Sequence, residues 1–300
     1  MVGQAQRREA VSLVRQEFGL SERRACQLVK QPRASQRYVH RRCEPPRLQE
    51  RLLVLAEQRR RFGYPRLHML LRREGFTVSR KRVYRLYREA GLKLRSKRKK
   101  GRSAELRRKL QVASWTNERW SMDFVSDTFG DGRGFRALTV VDDFTKLCPA
   151  LEVDTSISGL RVTRVLDRAI QLHGKPEVIV TDNGPEFTSH ALDAWAKARG
   201  IRLHRIDPGK PTQNAYIESF NGRFRDECLN QQHFLGLNDA RGLIEGWRSD
   251  YNRLRPHTSL DGSSPEEFIF SLAGRMRPAR LKPPTQLTLF EENPASPELS

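Results

Sequence analysis

Apolar residues in the first part of the chain recur at helical spacing. Between residues 9 and 30 the spacing predicts two short helices separated at Gly19, and Ser21 is expected to cap the second. Ser35 is expected to cap a third helix. Three short helices with a glycine at the tight turn indicate a helix-turn-helix in residues 1–44. A plain basic helical hairpin remains the alternative for this segment.

A second helical segment follows Pro45-Pro46 and covers residues 48–92. Its leucines form helical stripes, Ser79 is expected to cap the last helix, and Gly91 ends it. This last helix has an apolar inner face and a cationic outer face. Such a helix can enter a DNA major groove or lie along phosphates, although a solvated basic face is the alternative. The cationic positions are Arg80, Lys81, Arg82, Arg85 and Arg88.

From residue 114 onward the hydrophobic pattern changes to that of strands. Residues 119–126 alternate, and the runs 135–144 and 146–153 complete a predicted antiparallel meander. The order of the later elements then favours an α/β, ribonuclease-H-like core over residues 114–274. Those elements are a helix at 157–172, a strand at 177–181, a helix at 189–199, a strand at 201–206, and helices at 213–229 and 238–252. Residues 275–300 are Pro-rich and polar, and we expect them to be disordered.

The net charge of +21, with an isoelectric point near 10.6, indicates a nucleic-acid partner. It is unevenly placed: residues 1–113 hold 33 Lys and Arg against 9 Asp and Glu, whereas the rest hold 23 against 26. The chain therefore reads as a basic arm joined to an ordinary globular domain. Residues 93–113 are predicted to be a basic linker suited to phosphate contacts, with Lys97, Arg98, Lys99 and Lys100 as DNA-binding residues.

The remaining composition favours a cytoplasmic protein. No apolar run follows the basic N-terminus, and no stretch approaches the roughly 20 apolar residues of a membrane span. The four cysteines lack paired metal-type spacing and are expected to be free thiols. Cys26, His40 and Cys43 lack a fourth ligand at a sensible spacing, so we reject a zinc site.

Three acidic residues of the second half are spaced as a divalent-metal site requires. Asp123 lies inside a predicted strand, Asp182 directly follows a buried strand, and Glu218 lies on a predicted helix. Carboxylates are hard ligands suited to Mg²⁺ or Mn²⁺. Two such ions about 3.5–4 Å apart can activate an attacking oxygen and stabilise the leaving oxygen of a phosphodiester.

Other features bear on the choice of these acids. Asp123 is flanked by large apolar residues, so its carboxylate needs a partner to offset desolvation. Asp182 stands at the carboxyl end of a strand, where open α/β sheets place their sites. Arg225 follows Glu218 by two helical turns and is expected to hold a phosphate; pairing with Asp226 or Glu227 is the alternative. The competing acids are Asp127, Asp131, Asp142 and Asp143.

At these residues the chain resembles the OrfB transposases of bacterial insertion sequences in the insertion-sequence-three family, whose catalytic core is like that of retroviral integrases. The motifs that carry the resemblance are Trp-Ser-Met-Asp-Phe at 120–124, Thr-Asp-Asn-Gly-Pro-Glu-Phe at 181–187 and Asn-Ala-Tyr-Ile-Glu-Ser-Phe-Asn-Gly at 214–222. The segments Phe-Gly-Tyr-Pro-Arg-Leu at 62–67, Val-Tyr-Arg-Leu at 83–86 and Tyr-Asn-Arg-Leu-Arg-Pro-His-Thr-Ser-Leu at 251–260 also match. The similarity spans roughly residues 8–270.

The resemblance implies a ribonuclease-H-like integrase core preceded by helix-turn-helix segments. It also implies a DDE triad of Asp123, Asp182 and Glu218, helped by Arg225, that uses two Mg²⁺ or Mn²⁺ ions. The implied activity is cleavage at element ends followed by strand transfer through a terminal 3′-hydroxyl. We further expect Asn214 and Asn221, in the same motif as Glu218, to contact DNA.

The implied partners are double-stranded DNA, as terminal inverted repeats and as target, and further copies of the chain in a synaptic complex. The OrfA product is a further expected partner, as a separate protein or as a frameshift fusion to this chain. A bacterial, nucleoid-associated location follows from the same resemblance. Two other functions remain open: a ribonuclease-H-like nuclease that only hydrolyses, and a DNA-binding regulator with an inert core.

Overall fold

A computed structural model describes residues 3–38, 46–94, 112–207 and 214–275. The chain divides into two compact units, Met1–Val54 and Leu55–Ser300. The predicted linker cations Lys97, Arg98, Lys99 and Lys100 lie outside the described residues, as does the expected disordered tail from residue 276 onward.

The first unit is helical. It contains α1 (Gln4–Phe18), α2 (Glu22–Leu28), α3 (Arg33–Arg37) and the start of α4 (Pro46–Gln58). The predicted cap of α2 is confirmed, because the Ser21 hydroxyl accepts the Arg24 N–H at 3.4 Å. The expected cap at Ser35 is wrong: α3 begins directly after Pro32, whose fixed φ suits that boundary, so Ser35 lies inside the helix.

The second unit opens with the pair α5 (Tyr64–Arg73) and α6 (Arg80–Glu89). The Ser79 hydroxyl accepts the Arg82 N–H at 3.3 Å, which confirms the predicted cap of α6. Beyond its last turn, Gly91 adopts φ 69°, a left-handed conformation that glycine tolerates at helix ends. The inner positions of the pair are fully buried: Leu67, Leu71, Val83, Leu86 and Tyr87.

A mixed five-stranded sheet forms the centre of the second unit, in the order β3-β2-β1-β4-β5. Strands β1 (Arg119–Thr128), β2 (Gly134–Asp142) and β3 (Ala150–Asp154) pair antiparallel, as the meander predicts. Strands β4 (Val178–Thr181) and β5 (Arg202–Arg205) continue the sheet in parallel beyond β1. This topology confirms the α/β, ribonuclease-H-like fold.

Helices cover both faces of this sheet. Helices α7 (Gly159–His173) and α8 (His190–Arg199) pack on one face, against a core that includes Trp120, Met122 and Leu138. Helices α9 (Ala215–Glu227) and α10 (Leu237–Arg253) pack on the other face, against Val125 and Val141. Because side chains alternate along a strand, Asp123 points to the same face as Val125, toward α9.

The predicted strand boundaries are wrong around the second turn. β2 ends at Asp142 and β3 begins only at Ala150, whereas strands were expected over 135–144 and 146–153. The reason is local: the Asp142 carboxylate accepts the N–H groups of Phe144 and Thr145, which turns the chain. A further helix, α11 (Pro265–Arg275), was not predicted. None of the helices in the described ranges is both long and apolar enough to span a membrane.

Candidate active site

Asp123 is held by β1 and α9 together. One carboxylate oxygen accepts the Phe124 N–H at 2.7 Å, and the other accepts the Asn221 side-chain amide of α9 at 2.8 Å. The opposite oxygen of that amide lies 2.9 Å from the Thr139 hydroxyl on β2, the register partner of Asp123. Asn221 therefore fixes the orientation of the Asp123 carboxylate.

Asp182 stands where β4 ends beside β1. These strands run parallel, with Ser121 opposite Val180, so the end of β4 comes next to Asp123. The Asp182 carboxylate accepts the Gly184 N–H at 3.0 Å. A Cβ at Gly184 would lie 3.1 Å from that carboxylate oxygen, so the turn favours a glycine there.

Glu218 and Arg225 lie on the side of α9 that also carries Asn221. Glu218 is exposed. The Arg225 guanidinium donates to the Ser126 carbonyl of β1 at 3.2 Å. Asp226 and Glu227, by contrast, pair with other arginines. In the described part of the chain, the alternative pairing of Arg225 with either acid is therefore not seen.

The electrostatics of Asp123 connect the three acids. The pKa of Asp123 is raised to about 6, because burial and the negative charges of Asp182 and Glu218 raise it by more than the Phe124 and Asn221 hydrogen bonds lower it. The charges of Asp182 and Glu218 thus disfavour ionisation of Asp123, and a cation bound beside Asp123 would offset that repulsion.

No Lys or Arg among the described residues pairs with Asp123, Asp182 or Glu218. The chain has 56 Lys and Arg, and other acids of the core do pair with a cation. Asp143, for example, accepts from Arg119 at 2.5 Å, and Glu186 pairs with Arg136. The three acids are therefore the site's uncompensated negative charge.

These residues fit a divalent metal by the chemistry of their donors. All three offer hard carboxylate oxygens, and the hydrogen-bond donors to Asp123 and Asp182 are neutral N–H groups. Across the described residues, however, no three His, Cys, Asp or Glu side chains lie close enough to form a complete ligand set. The structure thus brings the acids into electrostatic range without closing them around an ion.

The competing acids have other roles. Asp142 organises the turn after β2, and Asp143 is paired inside the core with Arg119 and the Ser121 hydroxyl. Asp131 pairs with Arg133 in the β1–β2 turn. Asp127 accepts the N–H of the next residue.

The predicted DNA contacts fall in different environments. On α6, Arg80, Lys81, Arg85 and Arg88 are exposed and Arg82 is half-buried. Asn221 is half-buried against Asp123, so its side chain contacts the acid as well as facing the site. Asn214 is 4% exposed at the start of α9, and the DNA contact predicted for it lacks an exposed side chain in this structure.

The sequence analysis missed a set of arginines that join the α5–α6 segment to the core. Arg59 makes a two-pronged pair with Asp250 of α10, at 2.7 and 2.5 Å. Arg66 donates to the Glu227 carboxylate. Arg255 pairs with both oxygens of the same carboxylate, at 2.7 Å each. We call this set, completed by Arg61–Asp226 and Arg73–Glu267, the arginine dock. Composition alone had placed Arg59, Arg61, Arg66 and Arg73 in a basic arm for nucleic acid.

Fold and site define a class: a ribonuclease-H-like core that carries three carboxylates without cationic partners among the described residues, preceded by a helical segment. Family models for "Integrase core domain" match residues 114–211 and 199–265, and one for "HTH-like domain" matches residues 47–100.

Individual proteins resemble the chain to different degrees. The chain is 52% identical over 262 residues to an uncharacterised 31.7 kDa protein of insertion element IS407 from Burkholderia multivorans, covering 86% of this chain and 94% of that one. It is 26% identical over 230 residues to transposase InsF of insertion sequence IS3A from Escherichia coli, covering 72% and 80%. The HTLV-2 integrase catalytic core domain, solved in complex with magnesium, superposes with a TM-score of 0.40 at 20% identity, covering 51% and 95%.

The chain belongs to the insertion-sequence-three family of bacterial transposases. Its general function is DNA transposition, and its catalytic core is of the polynucleotidyl transferase type.

Proposed function

We propose that this protein cleaves DNA at the ends of an insertion element and joins the freed 3′-hydroxyl end to target DNA. One observation carries the proposal: the charges of Asp182 and Glu218 act on the half-buried Asp123, and none of the three acids has a cationic partner among the described residues. In a basic chain, acids that remain unpaired at one point are suited to bind a cation from outside.

The residues of the site have distinct roles in this proposal. Asp123, Asp182 and Glu218 would hold two Mg²⁺ or Mn²⁺ ions, which when bound activate the attacking oxygen and stabilise the leaving oxygen. Asn221 positions Asp123 through its 2.8 Å hydrogen bond. Arg225, anchored by one nitrogen to the Ser126 carbonyl, has further N–H groups with which to hold a phosphate.

The test is Mg²⁺-dependent joining of a labelled element end to a target duplex. Asp123→Asn, Asp182→Asn and Glu218→Gln are each expected to abolish cleavage and joining while DNA binding persists. Asp131→Asn, an exposed acid of the β1–β2 turn, is the matched control and should react normally. Cleavage without joining would indicate a hydrolytic nuclease, and binding alone an inert regulator; near-normal turnover in a triad variant would remove that residue from the site.

We also propose that residues 48–92 bind DNA through the outer side of α6. Its cations are largely exposed, and Arg88 and Arg80 lie over the rings of Tyr84 and Tyr64 at 6.0 and 5.3 Å. Replacing Arg82, Arg85 and Arg88 together by Gln should weaken binding several-fold and leave the single-turnover rate at saturating DNA unchanged. A slower rate with unchanged affinity would contradict this assignment.

A further inference from the structure

Helix α9 has a third side, distinct from the side that carries Glu218 and Arg225. It presents Tyr216, Ser219 and Arg223 to a cavity of about 450 Å³. The opposite wall of the cavity is mostly apolar and includes Val141, Phe144, Tyr251, Leu260 and Phe268. A cavity of this size can hold a small ligand or part of a larger one.

Lys146 brings a second cation to this cavity. It occupies the turn between β2 and β3 with φ 63°, a left-handed conformation that is uncommon for residues other than glycine. Its ammonium group donates to the Asp143 carbonyl and lies 4.1 Å from the centroid of the Tyr216 ring. The turn thus holds a half-buried Lys against α9.

Arg223 has no hydrogen-bond or ion-pair partner among the described residues. Burial lowers the pKa of Lys146, the charges of Asp143 and Asp142 raise it, and the charges of Arg223 and Arg119 lower it, so both carboxylates and guanidinium groups act on this ammonium group. Arg119 is 8% exposed, and one of its guanidinium nitrogens has no partner within the described chain. Asp143, the acid among the described residues that line the cavity, already pairs with Arg119.

Two nearby arginines, in contrast to Arg223, each pair with a carboxylate. Arg61 pairs with Asp226 at 3.1 Å and Arg66 with Glu227 at 2.8 Å, and both acids also lie on α9. A second cavity, of about 340 Å³, is bordered by these four residues and by Arg223. Among the described residues, the fold thus pairs the adjacent arginines with carboxylates but leaves Arg223 without one.

We propose that Lys146 and Arg223 bind a backbone phosphate of DNA, forming a second DNA contact on α9 apart from the side that carries the acids. Arg223 follows Glu218 by five residues, about 7.5 Å along the helix axis. That distance is about two base steps along one strand. The proposal rests on the proposed function only in taking DNA as the substrate. The phosphate belongs to the element end or to the target.

The experiment measures binding without metal, in a Glu218→Gln background that does not depend on catalysis. Lys146→Gln and Arg223→Gln are titrated with an element-end duplex and with an unrelated target duplex over a series of salt concentrations. Each lost phosphate contact should reduce the slope of log K against log salt by about 0.9. We expect affinity to fall roughly three- to tenfold for the DNA that occupies the site. Arg164→Gln, an exposed and unpaired arginine among the described residues of α7, is the matched control.

A loss confined to the end duplex assigns the site to the element end, a loss confined to the other duplex assigns it to the target, and loss for both assigns a shared contact. Thermal unfolding separates binding from structure: Arg223→Gln should not lower Tm, and Arg223→Lys should restore the salt slope. The proposal is overturned if both Gln variants bind like Arg164→Gln. It is also overturned if Tm falls and Arg223→Lys fails to rescue. Absence of joining by the unmodified chain would instead count against the proposed function alone.

Discussion

At the scale of single residues, the site depends on which charges the fold leaves unpaired. Asp143 and Asp182 look alike in sequence, since both follow apolar strands. The structure separates them, because Arg119 neutralises Asp143 whereas Asp182 faces Asp123. Asn221 could have been inferred to support Asp123 from its position three residues after Glu218, which places both on one helical side.

Arg225 is expected to act on the rate more than on the affinity. Arg225→Ala should lower the single-turnover rate of cleavage or joining at least tenfold at saturating DNA, because a phosphate near the reacting bond loses its clamp. Overall affinity should change little, since one contact among many is lost. Single-turnover kinetics check this, with Arg164→Ala as control. A wild-type rate would show that Arg225 only ties α9 to the Ser126 carbonyl.

His257 should make stability sensitive to mild acid. Burial, together with the positive charges of Arg255, Arg223 and Arg66, lowers the pKa of His257 to about 2. The unfolded chain protonates this histidine below about 6.5, whereas the folded chain does not, so stability is lost as pH falls. The slope contributed is at most about 1.4 kcal/mol per pH unit.

Urea unfolding of His257→Gln at several pH values from 7 to 5 checks this expectation. The variant should show a shallower decline of unfolding free energy than the unmodified chain over that range. Replacing the exposed His190 by Gln is the control and should leave the decline as it is. Parallel declines for His257→Gln and the unmodified chain would show that other groups cause the acid sensitivity.

At the scale of elements, the 13 residues of α9 have three different roles. One side packs in the core, another carries Glu218, and its end supplies Glu227 to the arginine dock. Periodicity predicted the helix and its core side. The dock was not predictable, because a carboxylate and a guanidinium 161 residues apart in sequence reveal no pairing until the fold brings them together.

Glu227 should be among the most sensitive acids in the protein. Burial raises the pKa of Glu227, but the hydrogen bonds and charges of Arg255 and Arg66 lower it more, so it stays ionised. Glu227→Gln would leave the nearly buried Arg255 without its counter-charge, at a cost of about 3–5 kcal/mol. Glu266→Gln, which breaks an exposed pair with Arg253, should cost less than about 1 kcal/mol. Denaturant unfolding measures both, and equal small losses would contradict the assignment.

At the scale of the whole molecule, the order of elements predicted the fold because each has a clear period and a short connection. The predicted strand boundaries near Asp142 were wrong because the hydrogen bonds of the Asp142 side chain, and not the hydrophobic pattern, end that strand. The composition of the basic arm indicated only a nucleic-acid partner for its positive charge. Its surplus charge is real, yet Arg59, Arg61, Arg66 and Arg73 face carboxylates of the core.

Fragments of the chain should report this coupling. Residues 114–275 alone lack all four docking arginines and also Phe62, over whose ring Arg255 lies at 5.9 Å. Compared with a fragment of residues 46–275, the shorter one should unfold at a temperature lower by on the order of 5–10 °C, which corresponds to a loss of a few kcal/mol. Calorimetry on both fragments is the measurement. Equal melting temperatures would mean that the dock contributes nothing to the stability of the core.

The arginine dock limits how such proteins can be recombined. Ion pairs join the α5–α6 segment to the core. A segment taken from a relative would therefore carry cations placed to pair with the acids of that relative. A working chimera would need Asp226, Glu227, Asp250 and Glu267 exchanged together with the segment. Changes in DNA specificity within this lineage should therefore accumulate on the outer side of α6, where a substitution leaves the junction intact.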